Sequence, residues 1–168
     1  MASILVYDQR LWGSPPWKDV NATCLVNQKH SIQSIIDWLK VKCGSYKGTE
    51  TVYIMAHGDD GWIQLGKDGV TKDNALWAPL NYKIGNIVIF ACNVAKGSKG
   101  WTLCSRLAWY TSSYVTAADS TQMYIALPFG IIPTSFGSWE GRVHTWDPWG
   151  NWYSSYEDPP MDYSSVLK

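Results

Sequence analysis

The sequence predicts an α/β domain built on a mostly parallel sheet. Short apolar runs rich in β-branched residues stand at 3–8, 51–58, 86–92 and 113–118. Such near-continuous runs are the pattern of strands buried on both faces of a parallel sheet. An amphipathic helical segment separates the first two runs, and polar or small residues follow the end of each run, as strand–helix–strand units require.

Residues 3–8 form the first strand, and residues 10–22, with Gly13, Pro15 and Pro16, a loop. Ser31 is placed to cap a helix in which Ile32, Ile35, Ile36 and Leu39 recur at i, i+3, i+4 and i+7. Cys43 extends that stripe, Trp38 packs with it, and Gly44 suits the helix end. The order strand–helix–strand makes a βαβ unit, expected to be right-handed. After His57 the run Gly58-Asp59-Asp60-Gly61 reads as a turn, and Trp62 to Gly66 as one arm of a small hairpin. Residues 73–83 fit a short helix or an irregular crossover, because Pro79 interrupts them. A second helix runs from about Lys99 to Tyr110 with Trp101, Cys104, Leu107 and Ala108 inward. A strand at 113–118 ends at Asp119-Ser120. Beyond Pro128 the chain is rich in Pro, Gly and aromatics, with brief strands at about 137–144 and 151–156 and a flexible last dozen residues. The 168 residues thus make one domain, a core at about 1–120 followed by a Trp/Pro/Gly-rich region at about 121–168.

Fourteen basic and 14 acidic side chains give a net charge of +0. That balance argues against nucleic-acid binding through bulk charge. No apolar run approaches the roughly 20 residues that cross a bilayer, and the amino-terminal run lacks the basic flank and length of a leader. The expectation is a cytoplasmic protein, or one delivered outside the cell without a cleavable signal peptide. The cysteines at 24, 43, 92 and 104 and the three histidines lack metal-ligand spacing, so they read as free thiols with no metal or other cofactor. Gly58-Asp59-Asp60-Gly61 lacks the Lys-Ser/Thr ending of a phosphate-binding loop. The 11 tryptophans are far above ordinary usage; some belong to the core, while Trp139, Trp146, Trp149 and Trp152 are bunched where a groove or partner surface would lie.

The chemistry lies at the strand ends. In open α/β sheets ligands bind beyond the carboxyl ends of the strands. If the strands ending at His57 and Cys92 are parallel neighbours, an imidazole and a thiol emerge side by side, the equipment of a cysteine nucleophile. The Gly58 N–H, unhindered, and the Cys92 N–H could hold an oxyanion. Asp8 and Asp119, each following a strand, could receive a substrate's Arg or Lys, or could be ordinary turn residues. Asp59 and Asp60 either steer substrate and orient the imidazole or form a solvated turn. Free cysteines are also commonly buried, and a strand-end histidine commonly satisfies a hydrogen bond.

His57-Gly58, Gly61-Trp62-Ile63-Gln64-Leu65-Gly66, Ala91-Cys92-Asn93-Val94-Ala95-Lys96-Gly97, Gly100, Leu107-Ala108 and Val115 to Asp119 together resemble the caspase-like clan of cysteine peptidases. They are more similar still to a bacterial caspase-like domain of large surface proteins and of tetratricopeptide-repeat proteins. The resemblance covers about residues 50–120. It implies a caspase-like three-layer sandwich, His57 as general base and acid, Cys92 as nucleophile, Gly58 in the oxyanion hole, and cleavage through a thioester. It also implies that a protein or peptide substrate pairs as an added strand with a segment past the cysteine, for which Ser138-Trp139-Glu140 is the counterpart, with Trp139 either walling a subsite or packing under the terminal loops. The carboxyl-terminal 40 residues depart from the pattern. The other readings are a non-catalytic module of the same fold that binds a protein through its Trp-rich surface, and a glycan binder using exposed Trp faces.

Overall fold

The computed structural model describes residues 2–11, 20–44, 50–73, 75–122 and 139–157. The strands are β1 (Ser3–Asp8), β2 (Ala22–Val26), β3 (Thr51–Met55), β4 (His57–Asp59), β5 (Trp62–Gln64), β6 (Val70–Thr71), β7 (Asn86–Phe90), β8 (Tyr114–Ala118), β9 (Arg142–Trp146) and β10 (Trp152–Glu157). The α-helices are α1 (Ile32–Gly44) and α2 (Gly97–Thr111), and a 3-10 helix spans Ala75–Leu80. A seven-stranded sheet has the order β10-β9-β8-β7-β3-β1-β2. The strands from β2 to β8 pair in parallel, while β9 and β10 are antiparallel. The expected α/β class with a mostly parallel sheet is therefore present.

Crossover handedness explains the layers. From β2 to β3, from β3 to β7 and from β7 to β8 the chain advances across the sheet in one direction. Crossovers of one hand that advance in one direction fall on one face. Accordingly α1, α2 and the 3-10 helix share a single cluster with Ile4, Val6, Ile54, Ile89 and Ala117. The β1-to-β2 step runs the other way, and its described ends, Leu11 and Val20, pack on the opposite face with Leu5, Tyr7, Phe90 and Trp139. Among the described residues that second face carries no helix, so the helical third layer implied by the caspase-like resemblance is not found there. Also among the described residues, no helix is long and apolar enough to cross a membrane.

Local sequence sets the ends of the helices. Ser31 caps α1: the Ser34 N–H donates to Ser31 Oγ at 3.1 Å, and Ser34 Oγ returns to the Ser31 carbonyl at 2.7 Å. α2 stops at Ser112 in the left-handed region, whose N–H reaches the Ala108 carbonyl. Pro79 lies inside the 3-10 helix, where the tighter turn accommodates it. The small hairpin after His57 is a three-stranded sheet, β4-β5-β6, and Gly58 and Asp59 belong to its first strand rather than to a turn.

Three expectations are corrected. Residues 22–26, taken as loop and unassigned chain, form edge strand β2, whose half-exposed Ala-Thr-Cys-Leu face hides the apolar signal. Trp101 is 39% exposed on α2, with Gly100 and Leu103 buried instead. Trp139 and Trp146 are core residues, so only Trp149 and Trp152 of the late tryptophans face outward. Residues 158–168 and Ser138 lie outside the described residues.

The first turn of α2 packs tightly on the chain that follows Cys92. A Cβ at Gly100 would stand 2.4 Å from the Val94 carbonyl oxygen and 2.5 Å from the Ala95 carbonyl carbon. Glycine-to-alanine in a helix ordinarily gains up to about 1 kcal/mol. Here Gly100→Ala should lose about 1–3 kcal/mol through overpacking against backbone, read as a lower urea midpoint at unchanged slope.

Candidate functional site

β3 and β7 pair in parallel and in register, with Met55 opposite Phe90. One residue further on, the Ala56 N–H donates to the Phe90 carbonyl at 3.3 Å, so the two strands stay together as they leave the sheet. His57 and Cys92 follow at equivalent positions on this edge. Gly58 closes the contact: a Cβ there would meet the Cys92 carbonyl oxygen at 2.7 Å and the Ala91 Cβ at 2.8 Å. Only a residue without a side chain lets the β4 backbone lie this close to the Cys92 backbone.

The Cys92 turn is stitched to the end of β8. Asn93, at φ 55, donates to the Ser120 carbonyl at 2.9 Å, and Ala95 donates to the Ala118 carbonyl at 2.9 Å. The Cys92 thiol is half-buried and points to the Gln122 carbonyl oxygen at 3.5 Å. The Gln122 amide in turn bridges chain segments. Its Nε2 donates to the Glu140 carbonyl at 2.8 Å and the Ser120 carbonyl at 3.2 Å, and its Oε1 accepts from the Glu140 N–H at 3.2 Å.

His57 is exposed, with Nε2 3.3 Å from the carbonyl oxygen of Arg10. A carbonyl only accepts, so this contact holds the ring proton on Nε2 and leaves Nδ1 as the acceptor. Among the described residues no hydrogen bond joins His57 to Cys92; each is held by a backbone carbonyl. Arg10 is itself fixed. Its guanidinium forks onto both oxygens of Asp8, with Nε to Oδ1 at 2.8 Å, and reaches the Gly66 carbonyl at 2.7 Å. The hydrogen bond to Asp8 holds the Arg10 guanidinium above its ordinary value. The clamp ties the end of β1 to the small sheet and aims the Arg10 carbonyl at the imidazole.

The structure therefore brings Asp8, His57, Gly58, Cys92 and Asp119 to one edge of the sheet, but gives the carboxylates internal partners. Asp8 is fully buried and taken by Arg10. The expectation that it receives a substrate cation is corrected, because a basic side chain would have to displace an arginine. Asp119 is 31% exposed, with Oδ2 3.2 Å from His144 Nε2 and Oδ1 accepting from Ser120 Oγ at 2.9 Å. Asp59, exposed at the end of β4, accepts from the Asp60 N–H at 2.9 Å. Trp139 is 2% exposed, with its ring 4.5 Å from Phe90, and so packs beneath the surface instead of walling a subsite. Glu140 has its backbone N–H and carbonyl engaged by Gln122, which occupies the groups an added strand would pair with.

Sequence reasoning missed Arg10, Gln122 and His144. Arg10 and Gln122 act through or upon backbone carbonyls in irregular chain, which leaves no periodic signal. His144 could have been found from β9: it alternates with Val143, placing it on the α2 face among Trp101 and Trp146.

These features define an α/β domain with a Cys/His pair at the carboxyl edge of its parallel strands. Residues 8–122 match the family described as Domain of unknown function (DUF4347), and the chain belongs to it. The matched span begins at Asp8 and ends at Gln122, enclosing both carbonyl-held groups of the site. No curated protein and no solved structure matches the chain.

Four free thiols distinguish the site from the core. Burial pushes the Cys24 thiol up to about 11 and the Cys43 thiol, with help from the Glu50 charge, up to about 12, and buried Cys104 is raised as well. At neutral pH iodoacetamide should therefore label Cys92 first, checked by peptide mass spectrometry. The same raised values favour the neutral thiols in the folded state. Their contribution is intact below the unfolded value of 9.0 and is lost as pH climbs through about 11 and about 12. Thermal midpoints should fall across that alkaline window, less steeply in Cys24→Ser.

Proposed function

We propose that the protein is a cysteine-type endopeptidase with a caspase-like arrangement, using Cys92 as nucleophile and His57 as base and acid. The observation that carries this reading is the in-register β3–β7 pair, which ends two residues before both groups at the carboxyl edge of the sheet, the edge at which open α/β sheets bind ligands. The carbonyl contact at His57 Nε2 supports it further, because it leaves Nδ1 free to take a proton.

In the reaction Cys92 Sγ attacks the scissile carbonyl carbon while its proton passes to His57 Nδ1. The oxyanion accepts from backbone N–H groups at Gly58 and Cys92. Collapse breaks the C–N bond, and the leaving amine takes the proton from His57. Water, deprotonated by His57, then attacks the thioester, and the carboxylic acid leaves as Sγ recovers its proton. Apo geometry of such pairs is commonly loose and tightens on substrate binding. With Asp8 neutralised, Asp119 is the carboxylate available to a basic residue before the scissile bond, because its described partners are a histidine and a hydroxyl.

A non-catalytic module of the same fold is the competing reading, favoured by the absence of a hydrogen bond between the two groups among the described residues. Digestion of a mixed peptide library by wild type, Cys92→Ala and His57→Ala separates the two. Wild type should cleave, the substitutions should each lose about 100-fold or more, and Asp119→Asn should erode any preference for Arg or Lys. Equal cleavage by wild type and Cys92→Ala, or none with Cys92 alkylated no faster than the buried thiols, would refute the peptidase.

A further inference from the structure

At the opposite edge of the sheet, far from Cys92 along the strands, lies a groove of about 510 Å³ lined by Asn81, Tyr82, Trp109, Tyr110, Ser112 and Trp149, among others. Tyr82 precedes β7, Ser112 precedes β8, and Trp149 follows antiparallel β9, so all three stand where the parallel strands begin. The volume falls in the range of small-molecule sites. Its aromatic walls are outward-facing: Tyr82 is 81% exposed, Trp109 62% and Trp149 74%. Their ring faces contribute little to the core.

The backbones that carry Tyr82 and Trp149 are nonetheless fixed by hydrogen bonds. Trp149 sits in a turn that Asp147 organises by accepting from the N–H of Trp149 at 3.0 Å and of Asn151 at 2.8 Å. Gly150, at φ +81, pins that turn to α2, its carbonyl accepting from Ser105 Oγ at 2.6 Å. Tyr82 and Ser112 both adopt the left-handed region, at φ 58 and φ 50, and the Tyr82 N–H is tied to the Thr111 carbonyl at 3.2 Å. A tyrosine held in that strained conformation with its ring in solvent is costly, and such strain concentrates at ligand sites. Exposed aromatics on a fixed backbone lower the ordering cost of binding a ligand, and the folding core gains nothing from them.

The lining selects the ligand. Among the described residues it carries no charged side chain. Its side-chain polar groups are the Asn81 amide and the hydroxyls of Tyr82, Tyr110 and Ser112, which both donate and accept, and the indole N–H donors of Trp109 and Trp149. The matching ligand is neutral, rich in groups that also do both, and has apolar faces to lie on rings. We propose that this groove binds a neutral saccharide, with Trp109, Trp149 and Tyr82 stacking on sugar faces and Asn81 and Ser112 bonding hydroxyls. A proline-rich peptide also docks on aromatic grooves, its proline carbonyls accepting from donors such as indole N–H groups, but those prolines offer no donor to the acceptor atoms of Asn81 and Ser112, which sugar hydroxyls satisfy. The saccharide site stands apart from Cys92 and does not depend on any peptidase activity.

Calorimetric and tryptophan-fluorescence titration of the full chain with cellohexaose, chitohexaose and mannohexaose tests it, with decaproline as comparator. At least one hexasaccharide should bind wild type and Cys92→Ala alike. Trp149→Ala and Trp109→Ala should each weaken it by about ten-fold or more, while exposed Trp152→Ala, outside the groove, leaves it unchanged. All of these residues are surface-exposed, and circular dichroism confirms that the variants fold. Failure of all three sugars to bind at millimolar concentration overturns the proposal. So does binding that survives both groove substitutions, and so does decaproline binding that they abolish, which would assign the groove to peptides.

Discussion

The register between β3 and β7 is the constraint on which the rest of the molecule depends. The side-chain period of a strand is two, so a slip of one residue would turn Ile54 and Ile89 from the α1–α2 core to the opposite face. Register is therefore fixed by burial, well inside the sheet, with no requirement from the site itself. Met55 opposite Phe90 is the last pair, and His57 and Cys92 each follow two residues beyond it, so their placement at this edge is inherited from core packing. A site supported in this way is held by the most cooperative part of the fold rather than by loops.

The strands bring the groups to an edge, and backbone carbonyls then orient them. His57 faces the carbonyl of Arg10, and Cys92 faces the carbonyl of Gln122. Neither carbonyl is in regular structure, so each is fixed by the side chain of its own residue: Arg10 through Asp8 and Gly66, Gln122 through Ser120 and Glu140. A fully buried Asp8 would be unfavourable as a lone charge, and the bidentate arginine offsets its desolvation. The buried ion pair thus contributes position more than stability. The topology puts it where it is needed, because β1 and β3 flank the point at which the chain reverses its direction across the sheet.

The legible part of the sequence was the part governed by periodicity. Central strands β1, β3, β7 and β8 announce themselves because both faces are buried, and α1 because its stripe is apolar and Ser31 caps it. Edge strand β2 was silent since only Val26 of its residues is buried. Trp101 was misplaced inward because a helical stripe says which residues share a face but not how far the neighbouring sheet extends. It lies over His144 and Trp146, at the margin where α2 meets β9. Of the site, Cys92, His57 and Gly58 were readable as strand endings. Their supports were not, because an arginine or glutamine that bonds a carbonyl across an irregular segment obeys no spacing. The role of Asp8 was misread for the same reason: its partner is two residues away and looks like any surface arginine.

The two ends of the parallel sheet carry different physics. At the carboxyl edge, polar groups converge on one another, and Asp8 and Asp119 are engaged internally before any ligand arrives. At the amino edge the aromatic rings of Tyr82, Trp109 and Trp149 face solvent while turns and left-handed residues hold their backbones. Exposed apolar surface of this kind costs free energy in isolation, and neighbouring strands do nothing to cover it. What separates the ends is the length of the strands themselves, packed on both faces by buried side chains. Such a core is not continuously deformable, so any coupling between the two edges has to pass through a discrete rearrangement of the packing. One core thus presents two chemically different surfaces, exposed aromatics at the amino edge and, at the carboxyl edge, the carbonyls that hold His57 and Cys92.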